Sequence, residues 1–413
     1  MTSPTTTSGV QFRSHTLPNG LTIIGEIVPD AHSASAGFFV KTGARDERPV
    51  EMGVSHFLEH MMFKGTERRS ADDVNREFDE MGAEYNAFTS SEMTAFFATT
   101  LPEMTERSVD LLADILRPSL RQADFDMEKG VILEEIAMYK DVPFWVLYER
   151  AMEEYYGDHT LSFRVLGTND TITNLERDTM QRYFDARYSA DNTALCLAGA
   201  IDFDKVCAQV EKACAHWQRT GATRDNTTPT VNAKEFEIRD PNVNRAYVLM
   251  LAPGPAVQDE DKYAAAMLAQ VLGAPGNSRL HWALVENGLA EEAQAAYDPR
   301  DGCGDFFVYG SCDPDKIDAV WAAMNKEIET LVGSLTEDDL EKLRNKAMTS
   351  ATLAGERPSG RMQRLGRVWT YLGEYVSLEE ELAKMNRVTL DDMRRVFERF
   401  PFEPRTVGRM LPE

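Results

Sequence analysis

The chain has 413 residues, 43% of them hydrophobic, and carries 68 acidic against 44 basic residues for a formal net charge of −24. That length suits two domains better than one, and the acidic surplus argues against nucleic acid or an anionic membrane surface as a partner. A cationic peptide partner is compatible with it, as is an ordinary solvated acidic surface. No apolar run reaches the ~18 residues of a membrane-spanning helix. Residues 1–9 are polar, with neither a basic leader nor an apolar stretch, so no secretory signal is expected. The five cysteines, Cys196, Cys207, Cys214, Cys303 and Cys312, are odd in number and lack a C-x-x-C pair. They read as reduced thiols packed in the core of a cytoplasmic protein.

In chain order, a Pro18-Asn19-Gly20 turn separates two short β-like runs, the second Leu21-Thr22-Ile23-Ile24. Residues 35–41 read as a strand. A helix follows around residues 54–62, and Ser70 caps another that ends at Met81-Gly82. Residues 85–90 and 93–99 pattern as a hairpin. Helices are predicted over 101–116, 125–140, 144–156 and 175–188. A buried-type strand is predicted over 192–199 and a helix over 203–217.

A polar stretch around residues 219–232 has linker composition, dividing the chain into domains 1–218 and 233–413. The second half repeats the order of the first. It begins with a strand at 247–252, then helices at 263–272 and 279–286, then a strand pair at 293–297 and 306–312. Helices are predicted at 315–332, 337–354, 360–372, 378–385 and 390–400, with a last strand at 405–410. The expected fold class is α+β: two similar halves, each a mostly antiparallel sheet with helices on one face.

The helix at 54–62 contains His56-Phe57-Leu58-Glu59-His60, an H-x-x-E-H pattern. Val54, Phe57, Leu58, Met61 and Met62 give it an apolar face. His56 and His60 stand one turn apart on a common face, where both can reach one ion at the ~2.0–2.1 Å that zinc requires. Glu59, at the edge of that face, is placed to take a proton from water at the metal without being a ligand. This is the inverted form of the H-E-x-x-H zinc-peptidase motif.

A catalytic zinc site usually takes three protein ligands. None of the other histidines (His15, His32, His159, His216, His281) is paired at ligand spacing, so a carboxylate is the better third ligand. Glu128 and Glu135 lie two turns apart on one face of the helix at 125–140, and Glu134 lies about 100° away around the axis. Val131, Ile132, Ile136 and Tyr139 place Glu135 near a buried boundary. Geometry favours Glu135, with Glu128 behind it to accept the far N–H of a ligating histidine.

His56 through Met61-Met62-Phe63-Lys64-Gly65-Thr66 resembles the zinc helix of the pitrilysin/insulinase family of metallopeptidases, close to its short bacterial members and to the β-subunit of mitochondrial processing peptidase. Three further stretches are similar to that family's: Gly82-Ala83-Glu84-Tyr85-Asn86-Ala87-Phe88-Thr89, Glu128 through Glu135-Ile136, and Leu272-Gly273 with Ser278-Arg279-Leu280. The resemblance implies a zinc metalloendopeptidase with one zinc ion per chain, held by His56, His60 and Glu135. It implies Glu59 as general base and Glu128 as supporting carboxylate. Asn86, Ala87 and Phe88 would lie on an edge strand to which substrate adds. Arg279 fits a second-half arginine that reaches the substrate. The tyrosine that often accompanies it is replaced by Glu291, and Tyr297 is the nearest alternative. The second domain, without a zinc motif, would help enclose a peptide substrate, in a homodimer or heterodimer with a related subunit. The alternative is a non-catalytic subunit of the same fold; the complete His56/Glu59/His60/Glu135 set argues against it.

Overall fold

A computed structural model describes residues 9–413; most of the polar stretch at residues 1–9 lies outside them. The described chain forms two compact units. Of the described residues, unit 1 comprises those up to 136 with 163–225 and 351–379, and unit 2 comprises 137–162, 226–350 and 380–413. The units therefore interleave along the sequence and are not the contiguous segments 1–218 and 233–413.

Unit 1 is built on a six-stranded sheet in the order β1-β2-β6-β3-β5-β4. Its strands are β1 (Gln11–Thr16), β2 (Thr22–Ile27), β3 (Ala34–Val40), β4 (Glu84–Thr89), β5 (Thr94–Thr100) and β6 (Thr193–Gly199). Only the β2–β6 pair is parallel. Alternation along the strands sorts side chains onto two faces. Ala34, Ala36, Phe38 and Val40 of β3 join a core with α1 (Val54–Met62), α2 (Ala71–Glu80), α3 (Thr105–Ile115), α4 (Gln122–Lys140) and α8 (Phe203–Cys214). Phe39, Ala95 and Cys196 point to the other face, where Met362 and Leu365 of α12 (Pro358–Leu372) cover them. The approach is close: a Cβ on Gly366 would stand 2.3 Å from the Phe39 ring. Arg361 and Arg364 of α12 both pair with Glu26 of β2, whose side chain is buried.

Unit 2 carries a five-stranded sheet in the order β7-β11-β8-β10-β9. These are β7 (Glu235–Arg239), β8 (Ala246–Gly254), β9 (Glu292–Arg300), β10 (Cys303–Cys312) and β11 (Thr406–Leu411). Again one pair, β7–β11, is parallel. Apart from β1, the strand order of unit 1 is repeated strand for strand. One face packs on α9 (Lys262–Gly273), α10 (Ile317–Glu329) and α14 (Leu390–Arg399). The other is covered by α5 (Pro143–Tyr156), through Leu147, Ala151 and Tyr155 against Leu249, Leu251 and Met410.

The α+β class with two similar, mostly antiparallel halves is thus observed, with four corrections. Most helices gather on one face of each sheet, but the opposite face is also covered, by a helix from the other half of the sequence. Periodicity reveals an amphipathic helix but not which sheet it will cover. The helix predicted over 175–188 is α7 (Arg177–Arg187), and the short helix α6 (Asn169–Asn174) that precedes it, capped by Thr168 and followed by an extended Leu175, is absent from the prediction. The helix predicted at 279–286 is a short π-helical turn at His281–Val285. β7, absent from the prediction, is a strand alternating exposed and half-buried residues beside β11.

Candidate active site

The site residues predicted in the first half converge in unit 1. α1 starts at Gly53, a glycine with φ 93°, and its apolar face, Val54, Phe57, Leu58 and Met61, is buried in the core. That fixes the helix rotation and turns His56 and His60 toward α4, which buries Phe125, Ile132 and Ile136. Val131 does not share that buried face; it is 47% exposed, as are Met127 and Met138 to a greater degree. Glu135 is half-buried and Glu134 exposed, the choice between them that helix geometry favoured.

Glu135 Oε2 lies 3.8 Å from His56 Nε2 and 3.7 Å from His60 Nε2. One donor atom from each of the three lies within 4.8 Å of the others. Donors about 2.05 Å from a tetrahedral ion stand roughly 3.3 Å apart, so closing on zinc asks for shifts of a few tenths of an ångström at the carboxylate. The donor set, two imidazoles and a carboxylate, is a catalytic-zinc set. His60 Nδ1 lies 2.8 Å from Glu128 Oε1. With Glu128 as acceptor, Nδ1 carries the proton and Nε2 is left free to bind a metal. Lys64 Nζ holds the other oxygen of Glu128 at 2.6 Å.

The charges of these groups respond to their surroundings. Burial, then the neighbouring His60, pulls His56 down to about 4, so its imidazole is neutral and available as a ligand. Burial also works against a charged His60, but the bond to Glu128 and the charges of Glu128, Glu135 and Glu59 outweigh it and raise its pKa. Burial opposes a charged Glu128 as well; the bonds from His60 and Lys64 prevail and lower it. Glu135 is raised by burial, as is Glu59. Glu59 accepts a hydrogen bond from Thr89 Oγ1 at 2.6 Å, tying it to the end of β4.

β4 pairs only with β5 and so forms an edge of the sheet. Asn86 is exposed and Ala87 and Phe88 half-buried on it. Asn86 and Ala87, with Glu59, His60, Phe63, Lys64 and Tyr85, line a cavity of about 300 Å³. Arg279 and Tyr297 belong to unit 2. Arg279 donates to the Ser334 carbonyl at 3.3 Å. The Tyr297 hydroxyl donates to the Pro255 carbonyl at 2.7 Å, and burial raises its pKa.

Sequence reasoning did not assign roles to Lys64, Thr89 or Glu47. The first two fall inside the quoted motifs, but their partners are set by the tertiary fold. Glu47, which accepts the N–H groups of Gly53 and Ser55 at 2.7 Å each, carries no periodic signal.

Comparison with known proteins adds the following. A family model described as "Insulinase (Peptidase family M16)" matches residues 23–169, and one described as "Peptidase M16 inactive domain" matches residues 174–347. The chain is 34% identical to an uncharacterized zinc protease of Streptomyces coelicolor, over 93% of this chain and 86% of the relative. It is 30% identical to the uncharacterized zinc protease YmxG of Bacillus subtilis, over 92% and 93%. Among solved structures, a protease from Helicobacter pylori superposes with TM-score 0.92 at 20% identity, covering 98% of this chain and all of that one. A peptidase M16 inactive domain from Pseudomonas fluorescens superposes with TM-score 0.87 at 16% identity, covering 97% and 98%.

Proposed function

The chain belongs to the insulinase family of M16 peptidases, and from that membership we propose that it is a zinc-dependent endopeptidase hydrolysing peptides or unfolded segments. The observation that carries the proposal is the convergence of His56, His60 and Glu135 beside a half-buried Glu59 that is itself bonded to an edge strand. In this reading the three donors hold one zinc ion per chain. Bound there, zinc supplies Lewis acidity, polarising a carbonyl and lowering the pKa of water toward ~7.

The chain's own residues do the rest. Glu59 takes the proton of the attacking water and delivers it to the leaving amine. Its raised pKa makes it a better proton acceptor than a solvated glutamate, and Thr89 keeps one of its oxygens fixed while the other works. Glu128 keeps His60 in the tautomer that presents Nε2. The edge of β4 at Asn86, Ala87 and Phe88 takes the substrate as an added strand, through main-chain hydrogen bonds. Arg279 and Tyr297 are the second-half residues proposed to reach the substrate, in a homodimer or heterodimer with a related subunit. The acidic net charge favours basic peptides. The five cysteines, none in a disulfide among the described residues, suit a reducing, cytoplasmic setting. Among the described residues no helix is long and apolar enough to cross a membrane.

The test is a peptide library incubated with wild type and with Glu59→Gln, read by mass spectrometry alongside zinc content. Cleavage by wild type that disappears in a zinc-loaded Glu59→Gln supports the reading. Equal cleavage by the two removes Glu59 from its role, and a wild type that binds zinc but cleaves nothing favours a non-catalytic subunit.

A further inference from the structure

The two histidines of α1 are held in place by different means. The ring of His60 is fixed from behind by Glu128, which Lys64 holds in turn. The corresponding nitrogen of His56, Nδ1, is buried and has no hydrogen-bond partner among the described residues. With no bond behind its ring, His56 takes its position from the packing around it and from the backbone that carries it.

That backbone is the first turn of α1, where the N–H groups have no acceptors within the helix. A side chain at the N-cap normally supplies one, but the N-cap here is Gly53. The position requires glycine: its φ is 93°, and a Cβ would meet the Leu166 carbonyl oxygen at 2.7 Å. The acceptors come instead from Glu47, whose residue is 4% exposed. Its Oε2 accepts the Gly53 N–H and its Oε1 the Ser55 N–H, both at 2.7 Å. Ser55 Oγ is also 2.7 Å from the Tyr183 hydroxyl, which lies 2.9 Å from Thr42 Oγ1. The loop bearing Glu47 is anchored on both sides of it. Arg45 pairs with Glu92 at 2.6 Å, both buried, and Asp46 accepts from Arg187 at 2.5 Å and Arg224 at 2.7 Å.

We propose that Glu47 is a positioning residue for the metal centre, clamping the first turn of α1 so that the ring nitrogen of His56 faces His60 and Glu135. The inference rests on the reading that these three residues hold zinc. A carboxyl group suits the task because both of its oxygens accept hydrogen bonds. Burial pushes the Glu47 pKa up to about 8, against the bonds from Ser55 and Gly53 that favour its charged form, so the clamp rests on those two bonds and not on a fixed negative charge. Glutamine is nearly the same size but would turn an NH2 group against one of the two N–H donors. Relaxing that clash tilts the first turn and with it His56, whereas His60 keeps its own bond to Glu128.

The test measures zinc affinity by competition with a chromogenic chelator, and the visible absorption of the cobalt(II)-substituted protein, which reports ligand geometry. Both are measured on the full chain. Glu47→Gln is expected to weaken zinc binding about 10–100-fold and to alter the cobalt spectrum. Tyr183→Phe, which keeps the ring and loses the hydroxyl, is expected to shift both in the same direction by less. Glu26→Gln, a buried carboxylate that holds α12 in place of α1, should lower the melting temperature and leave both readouts at wild-type values. A folded Glu47→Gln with zinc affinity within about twofold of wild type, well inside the range expected for loss of a supporting group, and an unchanged cobalt spectrum overturns the proposal. If Glu47→Gln does not fold, Tyr183→Phe decides by the same two readouts. A wild type that binds no zinc refutes the reading of the site itself, and the clamp falls with it.

Discussion

The two units share a strand order yet differ in the helix that follows their second common strand. In unit 1 that helix is α1, with His56, Glu59 and His60 on one side and a cavity between its end and β4. In unit 2 it is α9, whose buried face is Ala264, Ala265, Met267, Leu268, Ala269 and Leu272. At its end α9 lies tight on β9, where a Cβ on Gly273 would stand 2.1 Å from the Ala295 backbone nitrogen, and the cavity of about 520 Å³ beside it, lined by Gln270, Arg279 and Trp282 among others, has no histidine in its lining. The same scaffold is therefore complete without polar groups at this position. Small and apolar residues are the low-cost filling for a core helix, and unit 2 has it. Unit 1 instead buries one imidazole, His56, half-buries another, His60, and sets carboxylates around them. Burial holds His56 near 4, and burial also opposes the charge of Glu128, which the bonds from His60 and Lys64 favour. Those burdens do nothing for the fold that alanine and leucine would not do better, which points to a role in chemistry.

The two sheets are also alike in how each secures its crossing helix. In unit 1, Glu26 joins Arg361 and Arg364 of α12, and Tyr375 donates to it at 3.1 Å. In unit 2, Asp305 accepts from Tyr156 of α5 at 2.5 Å and from Arg300 at 2.7 Å. In each case a buried carboxylate on the sheet tethers a helix drawn from the other half of the chain.

Substitutions can break the comparison at its strongest point first. His60→Ala should abolish zinc binding and peptide cleavage together, measured by metal analysis and a fluorogenic peptide, while His281→Ala in unit 2 leaves both unchanged. Zinc lost from neither or from both would erase the distinction between the units. Next in size, Glu59→Gln should retain zinc and lose about 10²–10⁴-fold in kcat/KM.

The tethers should behave alike in the two units. Glu26→Gln and Asp305→Asn each remove one partner of a buried ion pair and should each cost about 3–5 kcal/mol, read by urea unfolding. A loss at one and not the other would show that the tethers are not equivalent.

The acid response should come from unit 1. In the metal-free protein, His56 is held near 4 but takes up a proton near its ordinary value once unfolded. The unfolded state therefore binds the proton more readily, and stability present above about pH 6.5 is lost as pH falls toward 4, by up to about 3 kcal/mol. His56→Ala should flatten that part of the curve. The smallest expected effect is that of Lys64→Met, which leaves Glu128 to hold His60 alone and should weaken zinc binding about tenfold.

The motif residues were legible because their geometry is local. His56 and His60 at i and i+4 face one way in any α-helix, and Glu128 and Glu135 at i and i+7 do the same. The order of strands and helices followed from periodicity and turn residues, and failed where these were weak. β7 has only five residues and no fully buried face, and α6 has six residues with Ile172 alone buried. The linker composition around 219–232 was read as a boundary between contiguous domains. In the structure that stretch does join the units, but the chain also passes between them near residues 136, 162, 350 and 379.

By itself, then, the sequence determined the two-histidine helix, the carboxylate helix and the repeated order of elements, since each depends on spacing within a single element. Tertiary structure alone decided which groups stand behind them. It placed Glu47 under the first turn of α1, Thr89 against Glu59 and Lys64 against Glu128. It also sent α5 to one sheet and α12 to the other. The physical reason is the same in each case. An apolar helix face gains nearly the same free energy on any apolar surface of matching shape, and a carboxylate accepts any donor that reaches it. Which of these possible partners is met depends on contacts between residues far apart in the chain, and spacing along the sequence carries no record of them.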